Sequence, residues 1–336
     1  MSALSGAYRS KSGGDCMAHY LTPEEREERV RQLTDKLESG ISDVFQSDHY
    51  ADYLRTMSKF HQYSFRNTIL IFLQFPDANQ VAGYNDWKKK FDRQVKAGEH
   101  GISILAPCTS KKQVQMIDPD TQLPVFDANG QPVMEQEKVT RYRVVTVFDV
   151  SQTEGKELPE PCVAELTGDV AEFERITAAL QALSPLPVSF EDFSGNAYGY
   201  CDHAEGRIVI RPGLSQKQTL KTLVHEIAHA KLHPPADILD TARPKRSTRE
   251  LEAESVAYVV CQHFGIDTSG YSFGYVADWT RDKDMKQLKA SLDLIRSTSA
   301  ELIAGMEGHE QEQARTAPQR RPRRPRKSKR KTAPVR

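Results

Sequence analysis

Two histidines four residues apart constrain the fold of this 336-residue chain more than any other feature. His225 and His229 belong to the segment HEIAHA, and side chains at this spacing share one face of an α-helix. Ser215 is the predicted N-cap of that helix. The surrounding positions are apolar and predict that the helix is half-buried: Leu220, Leu223, Val224, Ile227 and Ala228. Two histidines in such a setting, with Glu226 between them, need a chemical explanation.

The H-E-x-x-H spacing is typical of a zinc site. Two imidazoles on adjacent turns can bind one zinc ion, and Glu226 then reaches the water that the metal holds. Zinc lowers the pKa of that water, and Glu226 can accept its proton as general base. The alternative is two surface histidines on a helix, since composition alone produces the motif in about one chain in fifty of this length. The motif predicts one Zn²⁺ per chain at His225 and His229, with Glu226 as the catalytic residue.

A second acidic motif, ELEAE, begins 21 residues after His229 and opens another apolar helix. Glu250 and Glu254 share a face of that helix by the same four-residue spacing. One of them can complete the zinc coordination, while the other hydrogen-bonds the far nitrogen of a ligand histidine. Glu252 faces away and is expected to be solvated.

His233 lies four residues beyond His229 and is a further candidate ligand. It would sit about 6 Å farther along the same helix axis. The intervening Ala230-Lys231-Leu232 contains no glycine to turn the chain back towards the metal. His233 is therefore expected to cap the C-terminus of the helix, where a cation is favoured.

The two motifs together resemble the gluzincins and, within them, the ImmA/IrrE-like metallopeptidases. The resemblance implies a zinc endopeptidase in which Glu250 is the third metal ligand and Glu254 orients His225. The strand Arg207–Arg211 resembles the place where zincins hold an extended substrate by strand addition. Candidates for stabilising the oxyanion, among which the sequence does not choose, are Tyr200, His263, Tyr271 and Tyr275.

The N-terminal half contains a basic stretch interleaved with aromatic residues. Cations that follow phosphates and rings that stack on bases are typical of single-strand grooves. The candidate DNA-binding residues are Tyr84, Trp87, Lys88, Lys89, Lys90, Arg93, Lys96, Lys111 and Lys112. The alternative is that Trp87 and Phe91, four apart on a helix, belong to the core and that the lysines form a solvated face.

Several short motifs of this half resemble, in the same order, the N-terminal domain of ArdC-type antirestriction proteins. They are Y-S-x-x-N, V-A-G-x-x-x-W, G-x-x-G-I-x-I-L-A-P and V-F-D-x-S-Q-T, within residues 62–107 and 144–159. The resemblance implies single-stranded-DNA binding in a mobile element's defence against host restriction or in its conjugative transfer. Ser151–Thr153 of the last motif are expected to end a strand and to contact phosphates.

Local signals predict most of the secondary structure. Thr22 and Glu25 form a capping box at the start of a helix. The β-branched run Arg141–Phe148 predicts a strand, and the turn-rich segment 117–132 predicts a hairpin loop. Further helices are expected at about 48–73, 168–183, 249–264 and 283–306.

The net charge of zero conceals an uneven distribution. Residues 315–336 hold eleven Lys or Arg and no acidic residue, which leaves 35 basic and 46 acidic residues in the rest of the chain. The tail is interrupted by prolines and is expected to be disordered. It either contacts nucleic acid or an acidic partner, or serves as a solubilising end.

Composition excludes several classes of protein. No run of 18 apolar residues exists to span a membrane, and the first twenty residues lack the apolar core of a secretion signal. Five widely spaced cysteines without a C-x-x-C argue against disulfides and a cysteine zinc knuckle. A cytoplasmic location is expected.

The sequence therefore predicts an α+β protein of two domains. A flexible leader (1–20) precedes an ArdC-like α+β single-stranded-DNA-binding domain (21–160), a zincin-like metallopeptidase domain (161–306) and a disordered basic tail (307–336). The expected function is a zinc metallopeptidase fused to that DNA-binding domain, with an unknown protein or peptide substrate. Two alternatives stay open: a non-proteolytic antirestriction protein with a structural zinc, and a regulatory ImmA-like protease that cleaves a repressor.

Overall fold

The computed structural model describes residues 22–45, 47–119, 121–158, 170–234, 244–266, 273, 276–281 and 283–316. The helices are α1 Pro23–Val44, α2 Ser47–Lys59, α3 Phe65–Gln74, α4 Tyr84–Phe91, α5 Val170–Leu183, α6 Gln216–Leu232, α7 Arg246–His263, α8 Val276–Thr280 and α9 Met285–Thr316. The strands are β1 Val81–Gly83, β2 Arg93–Val95, β3 Ile102–Gln115, β4 Met134–Asp149, β5 Thr153–Gly155, β6 Val188–Phe190, β7 Gly199–Asp202 and β8 Arg207–Ile210. This mixture confirms the predicted α+β class.

The described chain forms two compact units, and each unit consists of two separate stretches of sequence. The first unit contains Met1–Ser42 and Ile69–Glu157, and the second contains Asp43–Thr68 and Leu158–Arg336. A short segment of the N-terminal half therefore folds with the C-terminal half.

The first unit is built around a long antiparallel hairpin. β3 and β4 pair along their full length, from Ile102 opposite Val147 to Gln115 opposite Met134. β1 pairs only with the last three residues of β4, Val147–Asp149. The hairpin confirms the predicted loop at 117–132, although β4 begins seven residues before the predicted run Arg141–Phe148.

A buried carboxylate closes the turn after β4. Asp149 is fully buried, and its side chain accepts hydrogen bonds from the backbone of Asn79 and Gln80 at 2.8 and 3.0 Å. It also accepts from the backbone and hydroxyl of Ser151, while Gln152 Oε1 accepts from the Asp149 backbone at 2.9 Å. The V-F-D-x-S-Q-T motif is thus a structural turn, and these polar side chains bind the protein itself.

The second unit packs helices against a three-stranded sheet of order β6-β8-β7. β6 pairs with β8 in parallel, and β7 pairs with β8 antiparallel. β8 is fully buried at Ile208, Val209 and Ile210. The sheet therefore forms a buried base for the helix α6.

Helix α2 covers α7 within this second unit. Tyr50, Leu54 and Met57 of α2 are fully buried. The Tyr50 hydroxyl and Ser255 Oγ of α7 form a hydrogen bond of 2.8 Å. Burial of these apolar side chains holds the segment to α7.

Two predicted helices end differently in the structure. The expected helix 48–73 is interrupted after Lys59, and α3 begins after Ser64, whose hydroxyl accepts from the Asn67 backbone. Helix α9 continues ten residues past the predicted end at 306, since no proline interrupts it before Pro318. The prediction of a disordered tail is therefore wrong for residues 307–316, which are helical. Within the described ranges, no helix combines the length and apolar character needed to cross a bilayer.

Candidate functional site

Helix α6 presents its two histidines side by side. Ser215 caps its N-terminus by accepting from the Gln218 backbone, as predicted. The rings of His225 and His229 lie 4.6 Å apart, with their Nε2 atoms separated by 3.0 Å. Both ligand atoms therefore point to the same side of the helix.

Helix α7 brings Glu250 to this pair. Glu250 Oε2 lies 3.7 Å from His225 Nε2 and 3.4 Å from His229 Nε2. A tetrahedral ion about 2.0–2.2 Å from each ligand atom would separate those atoms by roughly 3.3–3.6 Å. The three donors form a cluster within 4.8 Å and fit one divalent metal ion.

The two oxygens of Glu250 face different partners. Oε2 faces the histidines, whereas Oε1 lies 3.7 Å from Arg246 Nε one turn earlier on α7. Hydrogen bonds to His225 and then His229 hold the pKa of Glu250 well below its usual range. The carboxylate is therefore charged, as a metal ligand must be.

Glu226 lies beside the donor cluster without belonging to it. Its side chain is 7% exposed, and burial raises the pKa of its carboxyl, against the opposing effect of His225 and His229. The backbone of Cys201 in β7 also hydrogen-bonds the carboxylate. A carboxylate held near the donors with a raised pKa has the properties of a general base.

Glu254 lies one turn beyond Glu250 and lines the same cavity as His225. Burial alone would lower the pKa of His225, but hydrogen bonding to Glu250 and the charges of Glu226, Glu250 and Glu254 raise it on balance. The role of Glu254 in orienting His225 stays a prediction.

Two cavities open beside the donors. One of about 330 Å³ is lined by Tyr198, Gly199, Lys221 and Glu254, and the other, of about 600 Å³, by Tyr200, His203, Arg246 and Arg249. Both are also lined by Gly199, His225 and Glu226. The Glu226 carboxylate therefore borders both cavities.

The strand beside these cavities is β7, which corrects the assignment of Arg207–Arg211 as the substrate strand. β8 is paired on one side with β6 and on the other with β7, so neither of its edges is available. β7 is an edge strand of this sheet, and its residues Gly199 and Tyr200 line the cavities. The alternation of β8 predicted a buried strand, but not that β6 would occupy its other edge.

His233 and Glu252 also differ from expectation. His233 is the C-cap residue, yet it is 5% exposed, and burial followed by the charge of His229 lowers its pKa to about 4. The predicted C-cap position of His233 is confirmed, whereas the lowered pKa disfavours the cation expected there. Glu252, expected in solvent, is 2% exposed because it packs against Ser291 of α9, and its Oε2 lies 3.7 Å from His233 Nε2.

The structure distinguishes two of the four candidates for stabilising the oxyanion. Tyr200 lines the larger cavity. His263 instead hydrogen-bonds the Ser58 carbonyl and Glu307, both at 3.0 Å, and does not line either cavity. Tyr271 and Tyr275 lie outside the described residues. Arg246 and Arg249 were not singled out from the sequence, although Arg246 precedes Glu250 by one helical turn.

In the first unit, the candidate DNA-binding residues of α4 divide into a core residue and surface residues. Trp87 is fully buried, donates from Nε1 to the Phe148 carbonyl at 2.9 Å, and packs on Phe91. It has no exposed face for a base, which corrects its assignment as a stacking residue. Tyr84 is 53% exposed, and Lys88–Lys90 are exposed.

The remaining cationic candidates differ in their availability. Arg93 donates to the Thr153 hydroxyl and to the carbonyls of Thr153 and Lys156, so its guanidinium joins β2 to the β5 region. Lys96 Nζ donates to the Ser151 carbonyl at 2.9 Å. Lys111 and Lys112 are exposed in the distal half of β3.

Two family models match the chain in succession. Residues 23–148 match the N-terminal domain of anti-restriction factor ArdC, and residues 186–261 match the IrrE N-terminal-like domain of peptidase family M78. The second match includes the donor cluster together with Glu226 and Glu254. The two resemblances stated from sequence motifs are thereby confirmed.

Individual proteins show similarity over parts of their own length. An uncharacterized protein of Bacillus anthracis is 28% identical over 314 residues, which cover 84% of this chain and 52% of that protein. Two DNA primases TraC of Escherichia coli are 27% and 30% identical, over 60% and 56% of this chain but only 14% and 18% of their own lengths. The chain thus spans about half of the first relative and a small part of the primases.

Two solved structures also resemble the chain. They are the metal-free and the Mn(II)-bound crystal structures of the antirestriction protein ArdC from plasmid R388. The metal-free structure gives a TM-score of 0.40 at 21% identity, over 75% of this chain and 86% of that one. The Mn(II)-bound structure gives 0.41 at 19% identity, over 84% and 96%.

Proposed function

We propose that this chain, an ArdC-like N-terminal region joined to a peptidase M78-like domain, is a zinc metallopeptidase fused to a single-stranded-DNA-binding domain. Its setting would be antirestriction or conjugation in a mobile element, as the match to the ArdC domain suggests. The observation that carries the peptidase proposal is Glu226, a buried carboxylate beside three metal-donor atoms and open to two cavities.

The donor set favours a catalytic zinc site. Two histidines and one glutamate are a protein ligand set that leaves a fourth position open, whereas structural zinc sites are closed by four protein ligands. A bound zinc ion would lower the pKa of a coordinated water to near neutrality and polarise the substrate carbonyl. His225, His229 and Glu250 would hold the ion.

The chain's own residues supply the remaining chemistry. Glu226 accepts a proton from the attacking water and delivers it to the leaving amine. An extended peptide lies along the outer edge of β7 and hydrogen-bonds its backbone. Lys221 lines the smaller cavity, and Arg246 and Arg249 line the larger one, so both cavities carry positive charge that favours the carbonyl oxygen or acidic side chains of a substrate.

The DNA-binding part of the proposal rests on the first unit. The family match covers residues 23–148, and the exposed side chains of Tyr84 and Lys88–Lys90 have the chemistry of a single-strand surface. The basic residues beyond Thr316, which lie outside the described residues, are a further source of cations.

A single substitution in the full-length protein separates an enzyme from a non-proteolytic DNA-binding protein. Glu226→Gln keeps the size and burial of the side chain but removes the base. We expect unchanged zinc content and DNA affinity, with cleavage reduced by ~10²–10⁴-fold. Cleavage is measured as new peptide termini, by mass spectrometry of a proteome-derived peptide library. Glu174→Gln, at an exposed position on α5, is the matched control.

The biological part is tested in restriction-proficient cells that receive unmodified DNA. If protection or transfer is lost in Glu226→Gln while DNA binding persists, the peptidase is the effector. Protection that survives this substitution undiminished would support the non-proteolytic alternative with a structural zinc. Cleavage of a host repressor without any effect on DNA entry would support the regulatory protease.

A further inference from the structure

A basic groove of about 650 Å³ lies within the first unit, between the first turns of α1 and the middle of β4. Four arginines line it, Arg26 and Arg31 from α1 and Arg141 and Arg143 from β4. One acidic residue, Glu27, shares the lining. The groove therefore carries an excess of positive charge, although the chain as a whole is neutral.

Arg141 and Arg143 differ from Arg31 in their ion pairs. Arg31 pairs with Glu28 on α1, but no ion pair within the described residues involves Arg141 or Arg143. Their positions in β4 are exposed. Their guanidinium groups are therefore available to an anionic ligand, which they can bind with two parallel hydrogen bonds.

Tyr142 adds an aromatic surface to the same groove. Its side chain is 44% exposed, in contrast to the buried ring of Trp87. Because side chains alternate along a strand, Tyr142 projects from the opposite face of β4 to Arg141 and Arg143. A ligand that crosses the strand edge thus meets cations on one side and a ring on the other.

The edge of β4 at this point is open. β1 pairs with β4 only at Val147–Asp149, so the described residues place no strand beside Arg141–Arg143 on that side. An extended ligand can therefore reach the backbone as well as the side chains of β4.

We propose that this groove binds a single strand of DNA, with the arginines on phosphates and Tyr142 stacked on a base. The inference rests on the single-stranded-DNA binding proposed above and names the surface that performs it. Unpaired bases expose the faces that an aromatic ring needs, whereas a duplex stacks them internally. An extended peptide could also add to an open strand edge, but four arginines against one glutamate favour phosphate.

The test is fluorescence anisotropy of the full-length protein with a labelled oligothymidylate across a series of salt concentrations. We expect Arg141→Gln with Arg143→Gln to lower the slope of log K against log salt by about 1.4, or ~0.7 for each phosphate that an arginine neutralises. That change corresponds to roughly 25-fold weaker binding at about 0.1 M salt. Arg29→Gln with Lys36→Gln removes equal charge from exposed positions of α1 outside the groove and should leave affinity unchanged.

Substitutions of Tyr142 separate stacking from charge. Tyr142→Phe should keep affinity, and Tyr142→Leu should weaken binding by roughly 5- to 150-fold, the effect of losing one base stack. Every variant retains the basic tail, so the tail contributes equally to all of them. Circular dichroism confirms that each variant is folded.

Three results would overturn the proposal. Wild-type affinity for the oligothymidylate in the Arg141 and Arg143 double variant would show that the strand binds elsewhere. Equal affinity for a duplex of the same length would exclude a single-strand groove. A peptide that binds at β4 without displacing the oligothymidylate would make the open edge a peptide site. If the wild-type protein itself fails to bind the oligothymidylate, the proposed DNA-binding function fails as well. That result differs from the three above, in which the protein binds DNA but not at this groove or not as a single strand.

Discussion

The hydroxyl of Ser291 on α9 donates a 2.6 Å hydrogen bond to Glu252 Oε1 on α7, and both residues are buried. We expect Ser291→Ala to lower the free energy of unfolding of the second unit by about 1–3 kcal/mol, because a buried carboxyl oxygen loses its donor. Urea denaturation followed by circular dichroism measures this. Ser297→Ala, at an exposed position of α9, is the control, and equal effects of both substitutions would contradict the assigned role of Ser291.

Zinc binding should distinguish Glu250 from Glu254. Elemental analysis should give about one zinc ion per wild-type chain. Glu250→Gln should abolish stoichiometric zinc, because the amide removes the charged oxygen that faces both histidines. Glu254→Gln should retain the metal with ~10- to 100-fold weaker affinity, as expected for a residue that positions a ligand. The reverse order would show that the two glutamates have exchanged roles.

The lysines of α4 should contribute to DNA binding separately from the β4 groove. Lys88→Gln, Lys89→Gln and Lys90→Gln together should lower the slope of log K against log salt by roughly 0.7 for each phosphate that a lysine neutralises in the wild-type complex. Oligothymidylate anisotropy measures this slope. A slope equal to that of wild type would show that these lysines are only a solvated face.

Gly199 should be required for the position of β7 over the site. A Cβ atom there would meet Thr222 Cγ2 at 2.7 Å and the Val209 carbonyl oxygen at 3.0 Å. We expect Gly199→Ala to destabilise the second unit by about 1–3 kcal/mol and to reduce cleavage more than zinc content. Adding Thr222→Ser removes the closest contact and should restore part of both. Unchanged cleavage in Gly199→Ala would argue against β7 as the substrate edge.

His61 should make the protein less stable in acid. Burial, and then the charge of His263, lowers the pKa of His61 below its ordinary value of 6.5. As the pH falls below 6.5, the unfolded chain binds a proton that the native ring resists, so stability is lost. His61→Phe keeps a ring against His263 and should reduce this loss between pH 7 and 5, as measured by urea denaturation. His49→Phe, at an exposed position, should not.

The features that the sequence predicted correctly depend on nearby residues. The capping box forms as expected: Thr22 Oγ1 accepts from the Glu25 backbone, and Glu25 Oε2 accepts from the Thr22 backbone. The i, i+4 geometry of His225 and His229 follows from the helix alone. Such arrangements require only one or two turns of chain.

The features that it missed depend on distant partners. Glu252 is buried because Ser291, 39 residues later, packs on it. Trp87 is buried, and its indole nitrogen donates to the Phe148 carbonyl, 61 residues later. Similarly, alternation along β8 indicates a buried face, but it contains no information about whether β6 occupies the neighbouring edge. Hydrophobic patterns specify which side chains are covered, not which segment covers them.

The placement of α2 bears on how such a chain can be inherited. The polypeptide contributes Asp43–Thr68 to the second unit before it completes the first. A recombination event near residue 158 would transfer the peptidase M78-like region without the segment that covers α7, leaving the partners of Tyr50, Leu54 and Met57 exposed to water. The two units are therefore not independently transferable, and exchange between genomes should preserve the stretch from α1 to α9 as one block.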